Sequence, residues 1–357
     1  MKTIIPFMAA CLLAAGAASS CGSSVDPTGS LPRGEASEQL DKAVTDYLAA
    51  AAGAGQEIHS LMIVQHGKVL SETWQNGAAP DVPHVLNSVS KTFTSTAVGF
   101  AIDEGLLSLD DKIVSFFPDK LPDEVSDRLE AMTVRNLLTM NCGHDTDPTG
   151  AAMGNMDADW VEIFLSWPVE HDPGTFFTYN SLGTYVLSAI VQQLTGEKVA
   201  DYLRPRLFEP LGITDVRWDE SPQGVNCGGW GLYLKTEDLA KMGLLLLQDG
   251  VWYGKRILPE GWVEQASAAQ VPSLPAGVKP ELAEKLGMTP ENSDWLQGYG
   301  YQIWRCRHNA FRADGAGGQY ILVLPDQDAV IAVTANLQDM QAEINLIWEF
   351  LLPALEN

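Results

Sequence analysis

The stretch from Thr92 to Ile102 carries no charged residue, and it lies inside a segment, Ser88 to Ile102, that reads as one helix. Small residues, among them Ser95, Ala97 and Gly99, fall on several of its faces. A surface helix keeps a polar stripe towards water, so a helix without one is covered on most sides. This helix is expected to run through the middle of the molecule, with Gly105 placed to end it.

The flanking segments suit that role. Leu40, Val44, Tyr47 and Leu48 recur at helical spacing, which predicts a helix over 37–52. Ser60–Val69 and Glu72–Trp74 read as strands around a turn at His66-Gly67. Residues from about 106 to 226 read as mainly helical, with Asp110, Thr133 and Asp157 as caps. Beyond them come a helix over 235–248, a loop-rich region over 271–297, and strands over 300–305, 320–324 and 329–334. Pro325-Asp326-Gln327-Asp328 joins the last two strands as a hairpin, and an amphipathic helix over 340–355 closes the chain. Strands near both ends with helices between predict an α+β fold. It consists of an antiparallel β-sheet flanked by helices, with an all-helical subdomain of about 106–226 inserted.

The 357 residues suffice for one large domain, over 37–357. A formal net charge of -24 repels phosphate backbones and argues against nucleic acid as a partner. Residues 1–20 read as an export signal, with Lys2 ahead of a short apolar run and small residues after it. Ala18-Ser19-Ser20-Cys21 resembles a bacterial lipobox, in which Cys21 is lipidated; ordinary cleavage near Ala15-Gly16-Ala17 is the alternative. Residues 21–36 then form a Ser, Gly and Pro-rich tether. These readings predict a lipid-anchored protein of the bacterial cell envelope, on the periplasmic or outer-membrane side. Cys142, Cys227 and Cys306 remain, permitting at most one disulfide. Neither they nor the histidines, including His144, His171 and His308, have metal-ligand spacing, and no motif calls for an organic cofactor.

Ser88-Val89-Ser90-Lys91 places a hydroxyl and an amine three positions apart, on one helix face. At the head of a buried helix, free N–H groups and the positive dipole end favour an oxyanion. A dehydrated lysine loses basicity until its neutral amine can accept a hydroxyl proton.

In this setting the chain resembles the β-lactamase and penicillin-binding-protein family of serine hydrolases, whose first motif is Ser-x-x-Lys at the head of a central helix. Gly67-Lys68-Val69-Leu70, Glu104 to Asp111, Thr133 to Met140, Pro173 to Ser181, Gly231 to Leu239 and Gly315 to Gln319 match further landmarks in order. The resemblance implies an acyl-enzyme on Ser88, with Lys91 as base. It makes Tyr179 the tyrosine of a Tyr-x-Asn motif, exchanging protons with Ser88 and the leaving group. Two departures stand out. Ser181 replaces the asparagine, with Asn180 before it as a second substrate-binding candidate. The usual Lys-Thr-Gly or His-x-Gly is Ala313-Asp314-Gly315, with Gly315 opening the backbone and the Ala316 N–H joining that of Ser88 as an oxyanion hole. Arg312 is expected to point to the opposite face.

The missing cation favours an esterase or amidase acting on a small-molecule or peptide-like substrate. A β-lactamase or D-alanyl-D-alanine carboxypeptidase is the alternative within the family. A non-catalytic envelope binding protein is the alternative outside enzymology. Trp160, Trp167, Trp295 and Trp304 lie in or near segments that can border the cleft, but most of them read as core or packing residues.

Overall fold

The computed structural model describes residues 29–355. Signal, lipobox and Cys21 lie outside them. An antiparallel sheet forms from strands β1 (Glu57–Gln65), β2 (Lys68–Trp74), β3 (Trp304–Arg305), β4 (Phe311–Gly315), β5 (Gln319–Leu324) and β6 (Ala329–Asn336). The order across it is β2-β1-β6-β5-β4-β3, so the chain's two ends meet in the middle. Leu61 pairs with Val333, Leu322 with Ile331, and Ala313 with Ile321.

Helices cover both faces of this sheet. Its back carries Leu61, Ile63, Tyr320, Leu322, Ile331 and Val333. These pack on α1 (Glu38–Gly53) and on the C-terminal helical segment, whose first part is Met340–Leu346. The front carries Met62, Val64, Ile321, Val323, Val330 and Ala332, and joins the larger core. Because neither face meets water, all of β5 is buried and polar alternation is absent.

The uncharged segment is α2 (Ser90–Asp103), with every residue from Ser90 to Ala101 buried. Its hydroxyls are matched: Thr92 Oγ1 donates to Gln302 O, Thr94 Oγ1 to Gly228 O and Ser95 Oγ to Tyr301 O, at 2.8–2.9 Å. Against it lies α3 (Ser181–Thr195). The front face of the sheet is covered by α4 (Thr236–Leu247), where Gly243 lets the helix approach, since a Cβ there would sit 2.4 Å from Val330 Cγ1.

Several expectations are corrected. The region over 106–226 is helical mostly in single turns, and α3 is its one long helix among the described residues. Asp159, not Asp157, caps the helix Trp160–Ser166, while Thr133 caps Val134–Leu138. Residues 300–303 turn instead of extending. The Gln302 side chain is drawn inward to the Leu137 and Leu138 carbonyls, and a Cβ on Gly300 would sit 1.9 Å from Ala266 O. The C-terminal helix widens into a π-turn over Ile347–Leu351. The segment read as tether is packed from Gly29 onward: Leu31 is buried and Arg33 pairs with Glu72 and Glu237. Cys142, Cys227 and Cys306 are buried free thiols, and burial raises all three.

Candidate active site

Ser88 sits in a single 3₁₀ turn, Asn87–Val89, that leads into α2. Asn87 holds φ 48°, a left-handed conformation that asparagine tolerates. Its Nδ2 donates to Ala316 O at 2.6 Å, tying the serine turn to the β4–β5 turn. Gly315 is required there, because a Cβ would lie 2.2 Å from Leu86 O and 3.2 Å from Ser88 N. The backbone groups of Ser88 and the 315–316 turn are thereby brought edge to edge. Strand β3 pairs with Phe311 and Arg312, and the far end of β4, at Gly315, lies beside Ser88.

Lys91 is 1% exposed. Its Nζ lies 2.8 Å from Ser88 Oγ, 2.9 Å from Ser181 Oγ and 2.8 Å from Gly229 O. Burial lowers its pKa to about 7, against the opposing pull of Asp147 and Asp314. At neutral pH a large fraction of Lys91 is an uncharged amine.

Tyr179 arrives from the other side, on an extended segment held by Thr178 N to Met140 O at 2.8 Å. The Ser88 side chain and nearby charges act on its phenol, and burial raises its pKa well above the usual phenol range. Lys91 Nζ lies 4.8 Å from the centroid of its ring. Ser88, Lys91, Tyr179 and Ser181 thus converge from two helices and a loop. That arrangement supports proton transfer from a hydroxyl to an amine and onward through a phenol.

Other expected residues fall elsewhere. Asn180 is not in the cleft: it is 1% exposed, its Oδ1 caps α3 at Gly183 N (2.9 Å), and its Nδ2 meets His144 Nδ1 (3.0 Å). Burial lowers His144 to about 4, so it accepts from Asn180 as a neutral ring. Arg312 and Asp314 share one face of β4, as strand alternation requires; both are buried, and Arg312 Nε lies 2.9 Å from Asp314 Oδ2. Ala313, on the opposite face of β4, is buried in the larger core. Trp304 stacks on Tyr179, Trp295 lies edge-on to Trp304, and Trp160 is core beside Tyr185 and Trp230. Among the described residues no group of three or more His, Cys, Asp or Glu is placed to hold a metal.

Three contributors escaped the sequence reading. Gly229 supplies the carbonyl on Lys91. A Cβ there would lie 2.7 Å from Ser181 O, and the glycine-rich run Cys227 to Gly231 was the available signal. Asp147 accepts from Ser181 N at 3.1 Å and sets charge near Lys91. Gln302 locks α2, α3 and the 137–138 carbonyls together through its backbone and side chain. Nothing local marks Asp147 or Gln302, because their partners are distant in sequence.

A family model described as Beta-lactamase matches residues 40–352, most of the chain. This protein belongs to the β-lactamase family. Among curated relatives of this hydrolase is a 6-aminohexanoate-dimer hydrolase from Paenarthrobacter ureafaciens, 28% identical over 78% of this chain and 73% of the relative. Penicillin-binding protein 4 of Amycolatopsis lactamdurans is 29% identical over 70% and 71%. Among solved structures, EstCE1, a hydrolase with promiscuous acyltransferase activity, aligns with TM-score 0.68 at 17% identity, covering 90% of this chain and 99% of its own. The octameric penicillin-binding protein homologue of Pyrococcus abyssi aligns with TM-score 0.68 at 20% identity, covering 88% and 77%. These two share the fold. The chain is a serine hydrolase of this family, with its antiparallel sheet and flanking helices.

Proposed function

We propose that this hydrolase cleaves a linear ester or amide through an acyl-enzyme on Ser88. Neutral Lys91 accepts the Ser88 proton as Oγ bonds to the substrate carbonyl carbon. The resulting oxyanion rests on the N–H groups of Ser88 and Ala316. Tyr179 passes the proton to the leaving amine or alkoxide as the carbon–leaving-group bond breaks, and water then releases the acid. The observation that carries this reading is the 2.8 Å contact between Lys91 Nζ and Ser88 Oγ in a dry setting where no described carboxylate pairs with the amine. Ser88→Ala is expected to abolish both ester turnover and fluorophosphonate labelling in a folded protein. Turnover surviving in that variant would defeat the assignment.

The preference for a substrate without a carboxylate handle comes from β4, whose cation, Arg312, is fully buried and tied to Asp314. The name of the Paenarthrobacter relative gives a dimer of 6-aminohexanoate as what it hydrolyses, in keeping with a linear substrate. Beside Tyr179 a cavity of 140 Å³ is lined by Phe176, Phe177 and Val278 together with Asp145, Asp147 and Lys279, which suits a chain carrying both apolar and polar groups. A chromogenic acyl ester and a chromogenic cephalosporin, assayed together, separate this reading from a β-lactamase.

Export and lipid attachment at Cys21 belong to the same proposal, placing the enzyme at the cell envelope. The lipobox-like run before Cys21 supports them. Radiolabelled palmitate should enter the wild-type protein and not Cys21→Ala.

A further inference from the structure

The ring of Tyr179 is one layer of a longer stack. The Trp304 indole lies against it at 5.5 Å between centroids, with the planes 25° apart. The Arg312 guanidinium carbon is 5.6 Å from the Trp304 ring and 4.5 Å from that of Trp295. Tyr299 meets Trp304 edge-on at 4.7 Å, closing the group. Trp304 and Arg312 are direct cross-strand partners on β3 and β4, so one strand pair fixes both.

Arg312 is an expensive residue to place here. It is 0% exposed. Its Nε bonds Asp314 Oδ2 at 2.9 Å, and its Nη1 bonds Asp294 O and Cys306 Sγ, each at 3.0 Å. Its Nη2 is buried with no hydrogen-bond partner, beside aromatic faces that attract a cation. A buried ion pair is commonly matched in stability by apolar side chains of the same volume, so stability alone does not account for this one. Tyr179, in turn, needs support. Residues 176–180 form no regular secondary structure, so the position of its ring depends on what it packs against.

We propose that Arg312 is a positioning residue for Tyr179: tied to Asp314 and lying against the rings of Trp295 and Trp304, it holds Trp304 as the platform on which the Tyr179 ring rests. The inference rests on the reading of Tyr179 as the proton carrier for Ser88. Arg312 touches no substrate and works through Trp304. The strand's cation is fully buried and serves the catalytic ring through Trp304 instead of meeting substrate. The charged groups acting on Tyr179 are Asp314, Asp147 and Arg312, and those acting on Lys91 are Asp147 and Asp314.

The test uses the full-length protein and p-nitrophenyl acetate, with near-UV circular dichroism and thermal melts as folding controls. The variants are Trp304→Leu, Trp304→Phe, Arg312→Lys and the double change Arg312→Gln with Asp314→Asn, which avoids an orphaned buried carboxylate. Misplacing a reacting group by about 1 Å costs up to roughly a hundredfold. Trp304→Leu and the double variant are therefore expected to lose roughly tenfold to a hundredfold in kcat at unchanged KM. Trp304→Phe, which keeps a ring in the stack, should recover most of the rate. In the double variant the acid limb of the pH profile should move to lower pH, because Asp314 favours the charged form of Lys91. Folded variants with wild-type kcat and an unmoved profile overturn the proposal. If Trp304→Leu does not fold, Arg312→Lys decides: it keeps the charge but loses the planar guanidinium, and a wild-type kcat there is equally fatal. Wild-type protein that neither turns over the ester nor takes up a fluorophosphonate sinks the underlying hydrolase reading instead, before any variant is compared.

Discussion

The Ser181 hydroxyl lies 2.9 Å from Lys91 Nζ, and the Gly229 carbonyl oxygen lies 2.8 Å from the same nitrogen. A carbonyl can only accept, so one N–H of the amine is committed to Gly229. A neutral amine has one more N–H and a lone pair for its two hydroxyl neighbours. When the second N–H goes to Ser181, the lone pair faces the Ser88 O–H, as a base requires. Ser181, shorter than the asparagine usual at this position, thereby orients the amine.

Ser181→Ala removes that orientation. A hydrogen bond to a group that becomes charged is worth about 1.5–3 kcal/mol, which is roughly tenfold to a hundredfold in rate. The variant should lose that much in kcat/KM on an acyl ester, and Ser181→Asn should restore most of it. Equal rates in Ser181→Ala and wild type would remove the hydroxyl from the mechanism.

Burial holds Lys91 at about 7, so the amine is protonated and unable to accept below that pH and free above it. Accordingly kcat/KM should rise with pH through about 7 and level off. Asp147 favours the ammonium form, so Asp147→Asn should shift the rise to lower pH. Initial rates from pH 5 to 9 check both statements, and a flat profile contradicts them.

Asn180 caps α3 instead of meeting substrate. Loss of such a cap costs about 1 kcal/mol. Asn180→Ala should lower thermal stability accordingly while KM for the ester stays unchanged. A large rise in KM with unchanged stability would return Asn180 to the cleft.

Glu343 is fully buried, takes a hydrogen bond from Tyr47, and leaves its Oε2 without one. Burial pushes its carboxyl up from 4.5 to about 8. An acid whose folded value is raised binds its proton more tightly in the native state. Its contribution is complete below 4.5 and is lost as pH climbs through 8, at up to about 1.4 kcal/mol per pH unit. Glu343→Gln should flatten the decline in melting temperature between pH 5 and 9. A decline identical to wild type would show that another group controls it.

Much of this was open to sequence reasoning because it depends on neighbours along the chain. The absence of charge from Thr92 to Ile102 set α2 in the interior, and three-residue spacing put Ser88 and Lys91 on one face. The turn at His66-Gly67 and the hairpin at 325–328 followed from local backbone preferences. The extended reading of 300–303 failed because a side-chain demand from distant carbonyls outweighed local alternation.

What only the tertiary structure decided is everything that depends on dehydration and on contacts across the chain. The sequence determined that a hydroxyl and an amine share a helix face and that the third motif lacks a cation facing the cleft. It could not place Gly229 O on Lys91, turn Asn180 inward, or bring Arg312 behind Trp304. The contacts of Lys91 and Asn180 join residues well apart in sequence, 138 for Lys91 with Gly229 and 36 for Asn180 with His144. The pKa of Lys91 follows from them, since it is set by how little water the assembled fold leaves around the amine.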